Sequence, residues 1–113
     1  MAASVEERKQ VLNAELKRIV DLIIKVYSPE KIILFGSLLA EGTIVKGSDI
    51  DLVIIKNTKK RFLERLDEVY SNIEPTVSVD ILVYTPEEFQ DMSQWSSFIK
   101  SLLKKGKVLY EAR

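Results

Sequence analysis

Three aspartates and one Gly-Ser pair have the residue types and spacing to do chemistry here. Asp49 and Asp51 stand two apart in Ser48-Asp49-Ile50-Asp51-Leu52, where an apolar run that reads as a strand begins. Alternate strand residues share a face, so both carboxylates project one way while Ile50 and Leu52 turn into the core. Taken alone, Asp-x-Asp is explained equally well by a turn followed by an exposed strand residue. Asp80 tips the balance towards a site. It interrupts a second β-rich run, residues 77–84, which is expected beside the first. Neighbouring strands lie about 4.8 Å apart, so all three carboxylates can converge. Acids crowded in that way repel and raise one another's pKa unless a cation neutralises them, and oxygen donors suit a hard ion such as Mg²⁺. Gly36-Ser37 follows an apolar run and is expected to open a short helix at Leu38-Leu39-Ala40. Backbone N–H groups at such a turn attract phosphate, and the Ser37 hydroxyl adds a donor.

What the sequence lacks narrows the chemistry further. It has no Cys, which excludes thiolate nucleophiles, disulfides and iron–sulfur or zinc–thiolate centres. It has no His, the usual general base and transition-metal ligand. Carboxylate chemistry with a hard cation is what remains. Seventeen Lys and Arg balance seventeen Asp and Glu, so no general electrostatic pull draws the chain to nucleic acid or an anionic membrane. The first residues are too polar for a signal peptide, and no apolar run approaches the roughly 20 residues of a bilayer span. A cytoplasmic protein is the expectation.

The elements that must position these residues are legible in the hydrophobic pattern. Apolar residues at steps of three and four from Ser4 to about Tyr27 predict a long amphipathic helix, with Ser4 and Glu7 as its capping box. Ser28-Pro29 ends it. Strands are expected over residues 31–35, 50–55 and 77–84, with a helix over 59–72 between the last two. Thr85-Pro86-Glu87-Glu88 is a second helix start, with Thr85 as N-cap. Trp95, Phe98, Ile99, Leu102 and Leu103 form a further apolar face, read as core or a subunit contact, which Gly106 ends. Val108-Leu109-Tyr110 is expected as a last edge strand. With 46% apolar and 30% charged residues and no repeats or linkers, residues 1–113 read as one mixed α/β domain.

Phe35-Gly36-Ser37, eleven residues, then Asp49-Ile50-Asp51-Leu52, with Asp80 on a later strand, resembles the signature of the DNA polymerase β-like nucleotidyltransferases. The length resembles the minimal nucleotidyltransferases (MNT) related to kanamycin nucleotidyltransferase, and Val79 to Phe89 resembles that group's third-acid strand and following helix. The resemblance implies an α/β (α+β) nucleotidyltransferase fold, a small mixed sheet with flanking helices. It implies transfer of a nucleoside monophosphate from an NTP to a hydroxyl, with Asp49, Asp51 and Asp80 as catalytic residues and ligands of two Mg²⁺ ions. Gly36, Ser37 and Ser48 would bind the nucleotide, here ATP. The group often carries Arg or another polar residue after Gly-Ser, where this sequence has Leu38 and Leu39; Lys46 is the expected substitute. Lys56 and Lys59, which follow the strand that carries Asp51, are further candidates to reach a phosphate.

Larger relatives add a helical domain that presents the acceptor, and none is expected after Arg113. The acceptor surface is therefore expected from a second copy, as in a homodimer, or from another protein. The resemblance points to a helical HEPN protein, AMP transfer to its tyrosine, and a toxin–antitoxin pair in which this chain is the antitoxin. A non-catalytic module that neutralises its partner by contact is the alternative. No membrane partner is expected, and nucleic acid fits poorly with the neutral surface.

Overall fold

The structure, a computed structural model, describes residues 5–36 and 49–113. Elements follow the order α1 (Val5–Tyr27), β1 (Lys31–Phe35), β2 (Ile50–Ile55), α2 (Phe62–Ile73), β3 (Val79–Tyr84), α3 (Pro86–Trp95), α4 (Ser97–Lys105) and β4 (Lys107–Glu111). The strands form one mixed sheet in the order β3-β2-β1-β4. β1 runs antiparallel to both β2 and β4, whereas β2 and β3 are parallel, joined by the crossover through α2.

Both faces of the sheet are covered, which is why β2 is buried at all six positions. On one face Ile19 and Ile23 of α1 and Val69 and Ile73 of α2 pack on Ile32, Leu34, Ile50, Leu52, Ile54, Ile81 and Val83. On the other, Ile99 and Leu102 of α4 meet Ile33, Val53 and Ile55, flanked by Phe35, Leu82, Tyr84, Phe89 and Met92. Strand periodicity places Asp51 and Asp80 on this second face, beyond the end of the apolar cluster.

The helix ends are set by side chains. Thr85 Oγ1 accepts from the Glu88 N–H while the Glu88 carboxylate accepts from the Thr85 N–H, the reciprocal box expected from the sequence. Ser96 separates α3 from α4 by accepting from the Ile99 N–H. Gly106 ends α4 in extended conformation, φ −70°. Its requirement is space: a Cβ there would sit 2.6 Å from the Leu102 carbonyl oxygen and 2.8 Å from Ile33 Cγ2. The Ser4 cap expected for α1 lies outside the described residues.

Two expected bounds are corrected, and the first is that of β3, which starts at Val79 rather than at residue 77. Helix α2 starts at Phe62, since residues 59–61 form a turn in which Lys60 N–H donates to Thr58 Oγ1 and the Lys60 carbonyl accepts from Arg65. The buried side of α2 carries Arg65, Val69 and Ile73, while Leu63 is exposed. Only Ile99 and Leu102 of the last apolar set are core; Trp95 is 65% exposed, its Nε1 donating to Asp91, and Phe98 and Leu103 are also exposed.

Candidate active site

The C-terminal end of β1 and the N-terminal ends of β2 and β3 lie at one end of the sheet, which brings Gly36, Asp49, Asp51 and Asp80 to a common edge. Asp51 is the register partner of Asp80 on parallel β3 and of Phe35 on antiparallel β1. Asp51 is buried and Asp80 exposed, so one carboxylate is rooted in the domain and the other faces solvent. Phe98 of α4 stands edge-on to Phe35 at 5.2 Å, forming an aromatic wall beside Asp51.

Gly36 is fixed by Asp51. Its φ of +80° is left-handed, and a Cβ at this position would lie 2.1 Å from Asp51 Oδ2. The turn after β1 therefore presses bare backbone against the carboxylate. Asp49 points to other partners: Arg8 Nη2 of α1 lies 2.9 Å from Asp49 Oδ2, and the Ser78 N–H donates to the same oxygen at 3.3 Å.

Asp80 is held in place through its neighbours. The Tyr70 hydroxyl donates to the Val79 carbonyl at 3.0 Å and accepts from the Ile81 N–H at 2.9 Å, on the side of β3 turned away from β2. Burial foremost, with the negative charges of Asp80 and Asp51, pushes the Tyr70 phenol above its ordinary pKa, so it keeps the proton it donates. The segment leading into β3 is tied to α1. Glu15 accepts from both the N–H and the hydroxyl of Thr76, and Arg18 donates to the carbonyls of Ile73 and Glu74 at the end of α2. The Arg18 guanidinium, against the opposing effect of burial, lowers Glu15 to a pKa of about 2. At the other end of β3, buried Arg65 donates to the Val83 carbonyl and forks onto Glu88 at 2.8 and 3.2 Å.

Of the residues the sequence nominates, the fold gathers the backbones of Gly36, Asp49, Asp51 and Asp80 at one end of the sheet. Ser37, Lys46 and Ser48 lie outside the described residues. Lys56 is at the opposite end of β2, donating to the Tyr27 and Ser28 carbonyls and stacked over the Tyr27 ring, so the suggestion that it reaches a phosphate is corrected. Arg8 and Tyr70 were not foreseen: Arg8 is distant in sequence from Asp49, and Tyr70 reads as one more apolar helix position. Among the described residues no three acids are gathered tightly enough to form a ready-made metal cluster, and Asp49 is engaged by Arg8. The donor chemistry nevertheless fits a hard divalent cation: all oxygen, with two carboxylates in register on adjacent strands.

A small mixed sheet with helices on both faces and acids at one end of its adjoining strands defines a nucleotidyltransferase fold. The family model "Polymerase beta, Nucleotidyltransferase" matches residues 17–113, and the chain belongs to that family. No curated protein matches. Among solved structures, a candidate nucleotidyltransferase from Sulfolobus solfataricus has the same fold, with a TM-score of 0.66 at 20% identity, over 98% of this chain and 90% of that one. No helix among the described residues is long and apolar enough to cross a membrane.

Proposed function

We propose that the chain is a Mg²⁺-dependent nucleotidyltransferase that moves AMP from ATP to a hydroxyl, the acceptor being a tyrosine of a helical HEPN-type partner that the transfer silences. The observation that carries the reading is the register of Asp51 with Asp80 beside the bare Gly36 backbone. Family membership supports nucleotide transfer; the acceptor and the antitoxin role rest on the resemblance of the motifs. Asp49, Asp51 and Asp80 would hold the metal, which supplies charge neutralisation at the phosphates and acidification of the acceptor. Gly36 would meet the nucleotide through its backbone, its side-chain position being taken by Asp51, with Ser37, Ser48 and Lys46 as the remaining nucleotide contacts. The acceptor oxygen attacks the α-phosphorus, the bond to the β-phosphate oxygen breaks, and pyrophosphate leaves. Exposed Asp80 takes the hydroxyl proton, in a chain without His. Exposed Trp95, Phe98 and Leu103 offer apolar surface for the protein that carries the acceptor.

The second reading is a module that acts on its partner by contact alone. The Arg8–Asp49 ion pair favours it, because the guanidinium already neutralises a carboxylate that the metal would otherwise neutralise. One experiment separates the two. The protein and its Asp51→Asn variant are incubated with Mg²⁺ and α-phosphate-labelled ATP in a lysate of the source cells. Label on one protein band with the unaltered chain alone is the expected result. Partner capture by a chain that transfers no label, undiminished by Asp49→Asn, establishes the contact module instead.

A further inference from the structure

Arg8 stands on the first turns of α1 with its side chain 49% exposed, and it reaches across to Asp49, whose side chain is 31% exposed. So open an ion pair contributes little to stability, and opening it disturbs little else. Its position has a sharper consequence for charge. Arg8 approaches Oδ2 of Asp49, and a divalent cation on either oxygen of that carboxylate would stand close enough to the guanidinium to repel it. The displaced guanidinium stays tethered to α1 at the edge where Gly36 and Asp49 lie. Lys56, Lys60 and Arg65 lie towards the opposite end of the sheet and are committed there, to the Tyr27 and Ser28 carbonyls, to Glu68 and to Glu88.

We infer that Arg8 is a substrate-binding residue: it neutralises Asp49 in the metal-free protein, yields that carboxylate to the divalent cation, and then pairs with the terminal phosphates of the triphosphate. The inference rests on the nucleotidyltransferase reading. The planar fork of a guanidinium matches two phosphate oxygens at once, which an ammonium does not. Arg8 thus supplies from the first helix the cation that the Leu38-Leu39 segment does not offer.

Two binding measurements on the full chain test it, with Arg8→Ala and Arg8→Lys compared to the unaltered protein and circular dichroism confirming that each is folded. Titration with Mn²⁺ alone is expected to show severalfold tighter binding in Arg8→Ala, since the competing cation is gone. Titration with α,β-methylene-ATP at saturating Mg²⁺ is expected to show about tenfold weaker binding in the same variant, the loss of one charge-assisted contact, with Arg8→Lys between. Absence of either effect overturns the role of Arg8. If the unaltered chain fails to bind the analogue at all, the nucleotidyltransferase reading itself falls and takes this one with it. Binding that is intact and indifferent to residue 8 removes only Arg8.

Discussion

Gly36 and Asp51 are locked together: the carboxylate oxygen of Asp51 occupies the space where any side chain at position 36 would begin, 2.1 Å from an ideal Cβ. Two independent constraints therefore require glycine, the close approach and the positive φ of 80°. Gly36→Ala is expected to lose about 1–3 kcal/mol of stability by chemical denaturation. It should also weaken nucleotide binding, because relief of the clash means moving Asp51 or the phosphate turn.

Asp51 and Asp80 are register partners on β2 and β3, so a cation bound between them relieves the repulsion of their like charges. Millimolar Mg²⁺ is expected to raise the Tm of the unaltered protein, and to leave that of Asp51→Asn almost unchanged. Transfer of label should be abolished in Asp51→Asn with the circular dichroism spectrum intact. An equal Mg²⁺ shift in both proteins would place the ion elsewhere.

Tyr70→Phe removes one hydroxyl and two hydrogen bonds, those to Val79 and Ile81 on either side of Asp80. Leaving a strand carbonyl and N–H without this partner is expected to cost about 1–3 kcal/mol. Hydrogen exchange at Ile81 should accelerate more than at Ile54. Transfer activity should fall more than the loss of folded protein explains, since the freed segment carries Asp80.

Arg65 binds three elements at once: the turn before α2 through the Lys60 carbonyl, β3 through the Val83 carbonyl, and the start of α3 through Glu88. Its guanidinium holds Glu88 below the usual carboxylate range, helped by the Thr85 N–H and opposed by burial. Arg65→Ala leaves Val83 and Lys60 without their donor and is expected to cost about 3 kcal/mol or more in denaturant titration. Arg61→Ala, four residues earlier and exposed, should cost almost nothing.

Glu15 gives the fold a definite acid dependence. Its carboxyl titrates at about 2 in the folded chain against 4.5 for a free group. A depressed pKa stabilises the fold fully above the unfolded value and loses that contribution as pH falls towards the folded one. The slope of Tm against pH between 4.5 and 2 should thus be shallower in Glu15→Gln than in the unaltered protein. At pH 7 the same variant should be less stable, its amide replacing a carboxylate that accepts from Arg18 and Thr76.

Strands β1 and β2 were legible to the residue because each is an apolar block with sharp polar or turn-forming flanks. The Thr85–Glu88 start of α3 was legible because a cap is a local affair of four residues. The buried face of α2 was not legible, because Arg65 is buried by hydrogen-bond partners on other elements, which no helical periodicity reports. Which members of the stripe from Trp95 to Leu103 are core was not legible either: Ser96 breaks the helix after Trp95, which leaves the indole exposed while Ile99 and Leu102 are buried. At the site, Asp49, Asp51, Asp80 and Gly36 announced themselves by spacing. Arg8 could not, since only the packing of α1 on the sheet brings it to Asp49.

The order of the strands has a consequence for how the chain is made. β1, the apolar block Lys31–Phe35, sits inside the sheet with β2 on one side and β4 on the other, and β4 leaves the ribosome after every other element of this sheet. During synthesis β1, β2 and β3 can assemble with α1 and α2 while one side of β1 still lacks its partner. For that interval the growing polypeptide exposes an unpaired strand of Ile, Ile, Leu and Phe, an invitation to association with other nascent chains. Arrival of residues 107–111 closes it, so the interval of exposure lasts until that segment has emerged and paired with β1.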